Sequence, residues 1–75
     1  MKKNTMKKVV YEIRMKMKDL KKSHEEIIDT IRQHGSIKAA WGQDGVASIR
    51  VLWHDEVAAV SAERALHGKF GVDIW

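Results

Sequence analysis

Between residues 9 and 18 the chain sets Val9, Tyr11, Ile13, Met15 and Met17 on one side of an extended backbone and Glu12, Arg14, Lys16 and Lys18 on the other. A period of two is that of a strand with one dry and one wet face. Such a strand is not stable alone; it needs neighbouring strands and a second layer to cover its apolar side. With 75 residues there is room for one core and no second domain. The chain has no cysteine, which removes disulfide staples, thiolate metal sites and a cysteine nucleophile, and suits the cytosol. Packing or oligomerisation must therefore supply the stability. Hydrophobic residues at 44% and charged residues at 32% are proportions of a folded domain, not of a disordered chain. No apolar run approaches the roughly 20 residues of a spanning helix, and the lysine-rich start lacks a following apolar stretch. A cytoplasmic protein with no membrane partner is expected.

Glycine is the only strong punctuation, because the chain has no proline. Residues 1–8 read as a flexible basic arm, with Met6 as a second potential start, ahead of one domain over 9–75. Ser23, His24, Glu25 and Glu26 form a capping-box pattern, so a helix is expected over 23–34, with Ile27, Ile28 and Ile31 as its stripe. Gly35 ends it in the left-handed conformation. Residues 36–41 and 47–53 are two strand-like runs around Gly42, Gln43, Asp44, Gly45 and Val46, a hairpin signal. A loop over Gln43, Asp44 and Gly45, with Gly45 as the bulge, pairs Trp41 with Ala47, Ala39 with Ile49 and Ile37 with Val51. That register makes one apolar face and sets Lys38 across from Arg50. Asp55 caps a helix over 56–67 that stops at Gly68. Its Ala58, Ala59, Ala62, Ala65 and Leu66 form the inner arc, while Val57 and Val60 fall on the polar side beside Arg64. Residues 71–75 read as a last strand, Val72 and Ile74 inward, Asp73 and Trp75 outward.

The order β-α-β-β-α-β implies a ferredoxin-like α+β fold. It would have a four-stranded antiparallel sheet, ordered 4-1-3-2, with both helices on one face and the other face open. That architecture serves many functions and names none. The open face then carries Glu12, Arg14, Lys16, Lys18, Lys38, Ala40, Ser48, Arg50, Leu52, Asp73 and Trp75.

Charge placement gives the functional expectation. Residues 1–22 hold nine lysines or arginines against Glu12 and Asp19, a balance of +7, whereas the other 53 residues hold five basic and eight acidic side chains, a balance of −3. A basic arm and first strand on a mildly acidic body suit a polyanion partner. Arg14, Lys16, Lys38 and Arg50, with Lys7 and Lys8 of the arm, are the candidate anion or nucleic-acid residues. The expected partner is nucleic acid or a nucleoprotein complex. The RNA-recognition module stacks bases on aromatics of its central strands. Here those positions hold Arg14, Lys16, Ser48 and Arg50, so backbone binding without base reading is expected. A merely solvated charged face is the plain alternative. A second functional class is a protein-binding or inhibitor protein, of the phage or mobile-element kind. It would use the edge of the last strand and Val57, Val60, Arg64 and Trp75. A homodimer covering the open face fits the same residues.

Enzyme chemistry finds no constellation. His34 and His67 sit in last helical turns, where an imidazole meets free carbonyls. His24 flanks the first helix stripe. His54, Asp55 and Glu56 are adjacent and point apart, which is poor metal-ligand spacing. Ser61 has no base beside it, and no glycine-rich loop opens a helix. No catalytic residue, metal or cofactor is expected. Trp41 and Trp53 are expected at one end of the hairpin, in the core or around a small-ligand pocket.

Overall fold

A computed structural model describes residues 8–75. The arm residues 1–7, Lys7 among them, lie outside the described residues. The elements follow in the order β1 (Val9–Lys16), α1 (Met17–Lys22), α2 (His24–His34), β2 (Gly35–Gln43), β3 (Val46–Trp53) and α3 (Glu56–Phe70). The sheet has three strands in the order β1-β3-β2, both pairings antiparallel. This overturns the expected ferredoxin-like four-stranded sheet with two helices: the described residues form three strands and three helices.

Two local events account for the difference. β1 ends at Lys16, opposite Val46, because its partner strand turns away there at Asp44–Gly45; the Met17 amide makes the last bond to the hairpin, to the Gly45 carbonyl. The next six residues, rich in helix-forming methionine, leucine and lysine, wind into α1 with Asp19 in the first turn and Lys21 and Lys22 in the last. At the other end, α3 runs through Gly68 to Phe70 and is capped by left-handed Gly71, whose amide bonds the His67 carbonyl. The Val72 amide still reaches Leu66, so no strand forms over 71–75. Of residues 71–75, Trp75 alone bonds the sheet backbone, exchanging hydrogen bonds of 2.9 and 3.1 Å with Arg14.

The core lies between the sheet and the helices. Ile13, Met15, Ile49, Val51 and Trp53 from the strands meet Leu20 of α1, Ile27 and Ile31 of α2, and Ala59, Ala62 and Leu66 of α3, with Val72 sealing one side. The alanine side of α3 was expected to sit close to the sheet; its close approaches are chiefly to α2. Asp55 is the N-cap, its Oδ1 accepting from the Ala58 amide at 2.8 Å. Ser23 forms no capping box, because its amide already donates to Leu20 at the end of α1 and its side chain makes no cap bond. Gly35 is extended, not left-handed. It is required for another reason: a Cβ there would lie 2.6 Å from the Leu52 carbonyl oxygen and 2.9 Å from Trp53 Cα.

Candidate nucleic-acid interface

The hairpin decides what the open face carries. Asp44 and Gly45 both have positive φ, 54° and 77°, which is the two-residue turn that an Asp-Gly pair favours. Gln43 therefore pairs with Val46 and Trp41 with Ser48, rather than with Ala47. The extra residue sits further along, where the register shifts between Ile37 and Ala39, leaving Lys38 as a bulge. Beyond it Ile37 again meets Val51 as expected, but Ala39 rather than Lys38 faces Arg50. The expected clash of Lys38 with Arg50 does not arise, Ala40 turns to the helix side opposite Ile49, and Trp41 leaves the core. Trp41 is 41% exposed, whereas Trp53 is fully buried at the far end of the hairpin, opposite Gly35. The two tryptophans share neither a face nor an end, so they do not frame one pocket.

Across the three strands, the register stacks the open face in rows. Val10 lies beside Leu52 and Ser36; Glu12 beside Arg50 and Ala39; Arg14 beside Ser48 and Trp41; Lys16 beside Val46 and Gln43. Glu12 joins Arg14 and Arg50. Its Oε2 accepts from Arg50 Nη2 at 2.9 Å and Nε at 3.2 Å, and its Oε1 from Arg14 Nη2 at 3.3 Å. The Arg50 guanidinium also stands over the Trp41 ring, 5.5 Å from its centroid, a cation–π distance. Such exposed pairs stabilise the fold by less than about 1 kcal/mol each. Their effect is to restrain two guanidiniums beside Glu12, which lowers the entropy lost when a ligand is bound.

Three of the expected cationic residues are thus gathered: Arg14, Lys16 and Arg50 occupy one face with the single carboxylate Glu12 among them. Lys38 is exposed on the β2 bulge, Lys18 belongs to α1, and Lys8 is exposed just before β1. A depression of about 420 Å³ opens at the hairpin end of the face, lined by Arg14, Trp41, Gln43, Asp44, Val46 and Ser48. Sequence reasoning missed Trp41 here, although the Asp-Gly pair carried the signal for it.

Of the second expected surface only the α3 part is present as expected: the last-strand edge does not form, and Trp75 lies beside Arg14 on the sheet. Val57 is 70% and Val60 45% accessible on α3, and Arg64 lines a shallow groove with Glu63, His67, Asp73 and Ile74. The histidines have local roles: His34 Nδ1 lies 2.8 Å from the Thr30 carbonyl oxygen, and His67 Nδ1 3.3 Å from that of Val72. No cluster of three or more potential metal ligands occurs among the described residues. Nor is any helix among them long and apolar enough to cross a membrane. No known protein-family profile matches this chain, and no curated protein sequence is significantly similar to it.

Proposed function

We propose that this protein is a non-enzymatic binding module that engages nucleic acid, alone or within a nucleoprotein complex, through its open sheet face. The observation that supports this reading is the Arg14–Glu12–Arg50 trio, held on adjacent strands beside Lys16 and next to an outward tryptophan. Planar guanidiniums fixed on a flat surface suit phosphate oxygens, and their positive charge releases counterions when a polyanion binds. Lys8 extends the same charge along β1, and the arm that precedes it adds Lys2, Lys3 and Lys7.

The test is fluorescence anisotropy with labelled nucleic acids at two salt concentrations. The expected affinity at low salt is about micromolar or tighter and falls steeply as salt rises. Replacing Arg14 and Arg50 together by alanine removes two phosphate contacts. The slope of log affinity against log salt should then shrink by about 0.7 per contact on a single strand, with the fold retained. An affinity and slope equal to those of the native protein would remove these arginines from the site.

The exposed Val57 and Val60 favour a second reading, in which α3 docks on another protein. The two readings use opposite sides of the molecule and are compatible with one protein joining a nucleoprotein complex.

A further inference from the structure

Trp75 and Arg14 exchange both backbone hydrogen bonds, the pattern of directly opposed residues in an antiparallel pair. Opposed residues project to the same side, so Trp75 shares the outward side of Arg14 and, through the β1–β3–β2 register, of Ser48 and Trp41. The alternation before it agrees: Val72 is buried, Asp73 exposed, Ile74 half-buried and Trp75 exposed. One row therefore crosses the open face as Trp75, Arg14, Ser48, Trp41. An indole stands at each end, 54% and 41% accessible, with a guanidinium between them. Ser48 is only 7% exposed although it lies on the open face, so the side chains around it roof it over. At about 4.8 Å per strand, the two tryptophan positions are about 14 Å apart, too far to share one ring-sized ligand.

We infer that this row is a two-position stacking platform for single-stranded nucleic acid. One unpaired base lies on Trp41, in the depression it shares with Arg14, and a second lies on Trp75, while Arg14 and its neighbour Lys16 take phosphates. The inference rests on the reading of the open face as a nucleic-acid surface and specifies its ligand. The reason is chemical. Large indoles exposed among cations offer nothing to a duplex, whose base faces are covered, but they match a strand whose bases are free to stack. Arg50 lies against the Trp41 ring but does not line the depression, so it leaves part of that ring open to a base. Stacking is sequence-tolerant, because every base has a π face, and the row supplies few groups to read base edges. Trp53, fully buried, takes no part and serves as an internal reference.

The experiment titrates the full chain with single-stranded DNA, single-stranded RNA and duplex DNA of about 12 nucleotides per strand. Anisotropy and intrinsic tryptophan emission are followed together. Single strands should bind more tightly than duplex and quench the two exposed tryptophans, leaving the emission of Trp53. Trp41→Leu and Trp75→Leu keep apolar cover but remove the flat ring; each should weaken single-strand binding about tenfold. Trp41→Tyr and Trp75→Tyr keep a stacking ring and should retain most of the affinity. The salt slope should be unchanged in all four variants, and circular dichroism checks that each is folded. Equal binding of single strand and duplex without quenching overturns the platform while leaving the phosphate-binding reading intact. Loss of affinity in the tyrosine variants equal to that in the leucine variants also overturns it. No binding of any nucleic acid at low salt removes the platform and the proposed function together.

Discussion

The Tyr11 hydroxyl donates to Glu56 Oε1 at 3.1 Å, tying β1 to the first turn of α3 from the rim of the helix-covered side. Sequence alternation places Tyr11 inward, yet it is 44% exposed, because the ring ends at this contact and not in the core. Hydrogen bonding to the carboxylate, then desolvation and the negative charge of Glu56, raise the phenol pKa above its ordinary value near 10. The neutral phenol is thus the form that the fold favours. Its stabilising effect is complete below the unfolded value near 10 and is lost as pH rises through the folded value. An ultraviolet titration should place the Tyr11 midpoint above 10 in the native protein and return it towards 10 in Glu56→Ala. The difference in unfolding midpoint between the two proteins should narrow as pH rises through that range. Gly35 makes a different residue-level point. The sequence marks it as a helix stop, but the structure needs it for contact, since its missing side chain lets β2 lie against Leu52 and Trp53.

The bulge in β2 governs which side of the strand each residue takes. With a two-residue Asp44–Gly45 turn and no bulge, Ile37 would face outward with Trp41; the extra residue at Lys38 turns Ile37 back towards Val51 while leaving Trp41 outside. No described strand pairs with the outer edge of β2, and a bulge carrying a lysine blunts that edge against unwanted pairing. Deleting Lys38 should remove the surplus residue and leave a regular strand, with Ile37 still opposite Val51 and Trp41 still opposite Ser48. Stability by urea denaturation should then change by no more than about 1 kcal/mol, and acrylamide quenching of Trp41 should be unchanged. A larger stability loss together with changed quenching would show that the surplus residue does not sit at Lys38. This element also marks how far the sequence could be read. The strand and hairpin pattern and the inner face of α3, with Val57 and Val60 off it, follow from local periodicity, and the Asp55 cap from the residue type at the helix start. The position of one surplus residue does not, because a bulge at the turn and one at Lys38 both put Ile37 against Val51. Only tertiary packing separates them, and the choice moved Trp41 from the core to the open face. The helix α1 was hidden likewise: Met17 and Lys18 continue the alternation of β1, and the strand ends only because its partner β3 begins at Val46 and offers no residue beyond the Asp44–Gly45 turn.

On the scale of the whole molecule, the helical layer separates two exposed surfaces. The open sheet face carries Arg14, Arg50, Trp41 and Trp75, whereas Val57 and Val60 lie on α3, the helix whose Ala59, Ala62 and Leu66 are buried in the core on the other side of the sheet. A homodimer formed through the open face would bury both outward tryptophans and compete with nucleic acid; one formed through α3 would leave that face free. Val60→Glu distinguishes a shared site from separate ones. Val60 is already 45% exposed, so the substitution should change unfolding free energy by no more than about 0.5 kcal/mol. Oligonucleotide affinity and its salt slope should also be unchanged. Combined with Arg14→Ala and Arg50→Ala, its effects should add within about 0.5 kcal/mol, as expected for sites that share no partner. If Val60→Glu weakens oligonucleotide binding and the loss does not add to that of the arginine variants, α3 and the sheet face act as one surface. The nucleic acid would then either wrap round one copy or be held between two, and the mass of the complex in solution separates these outcomes.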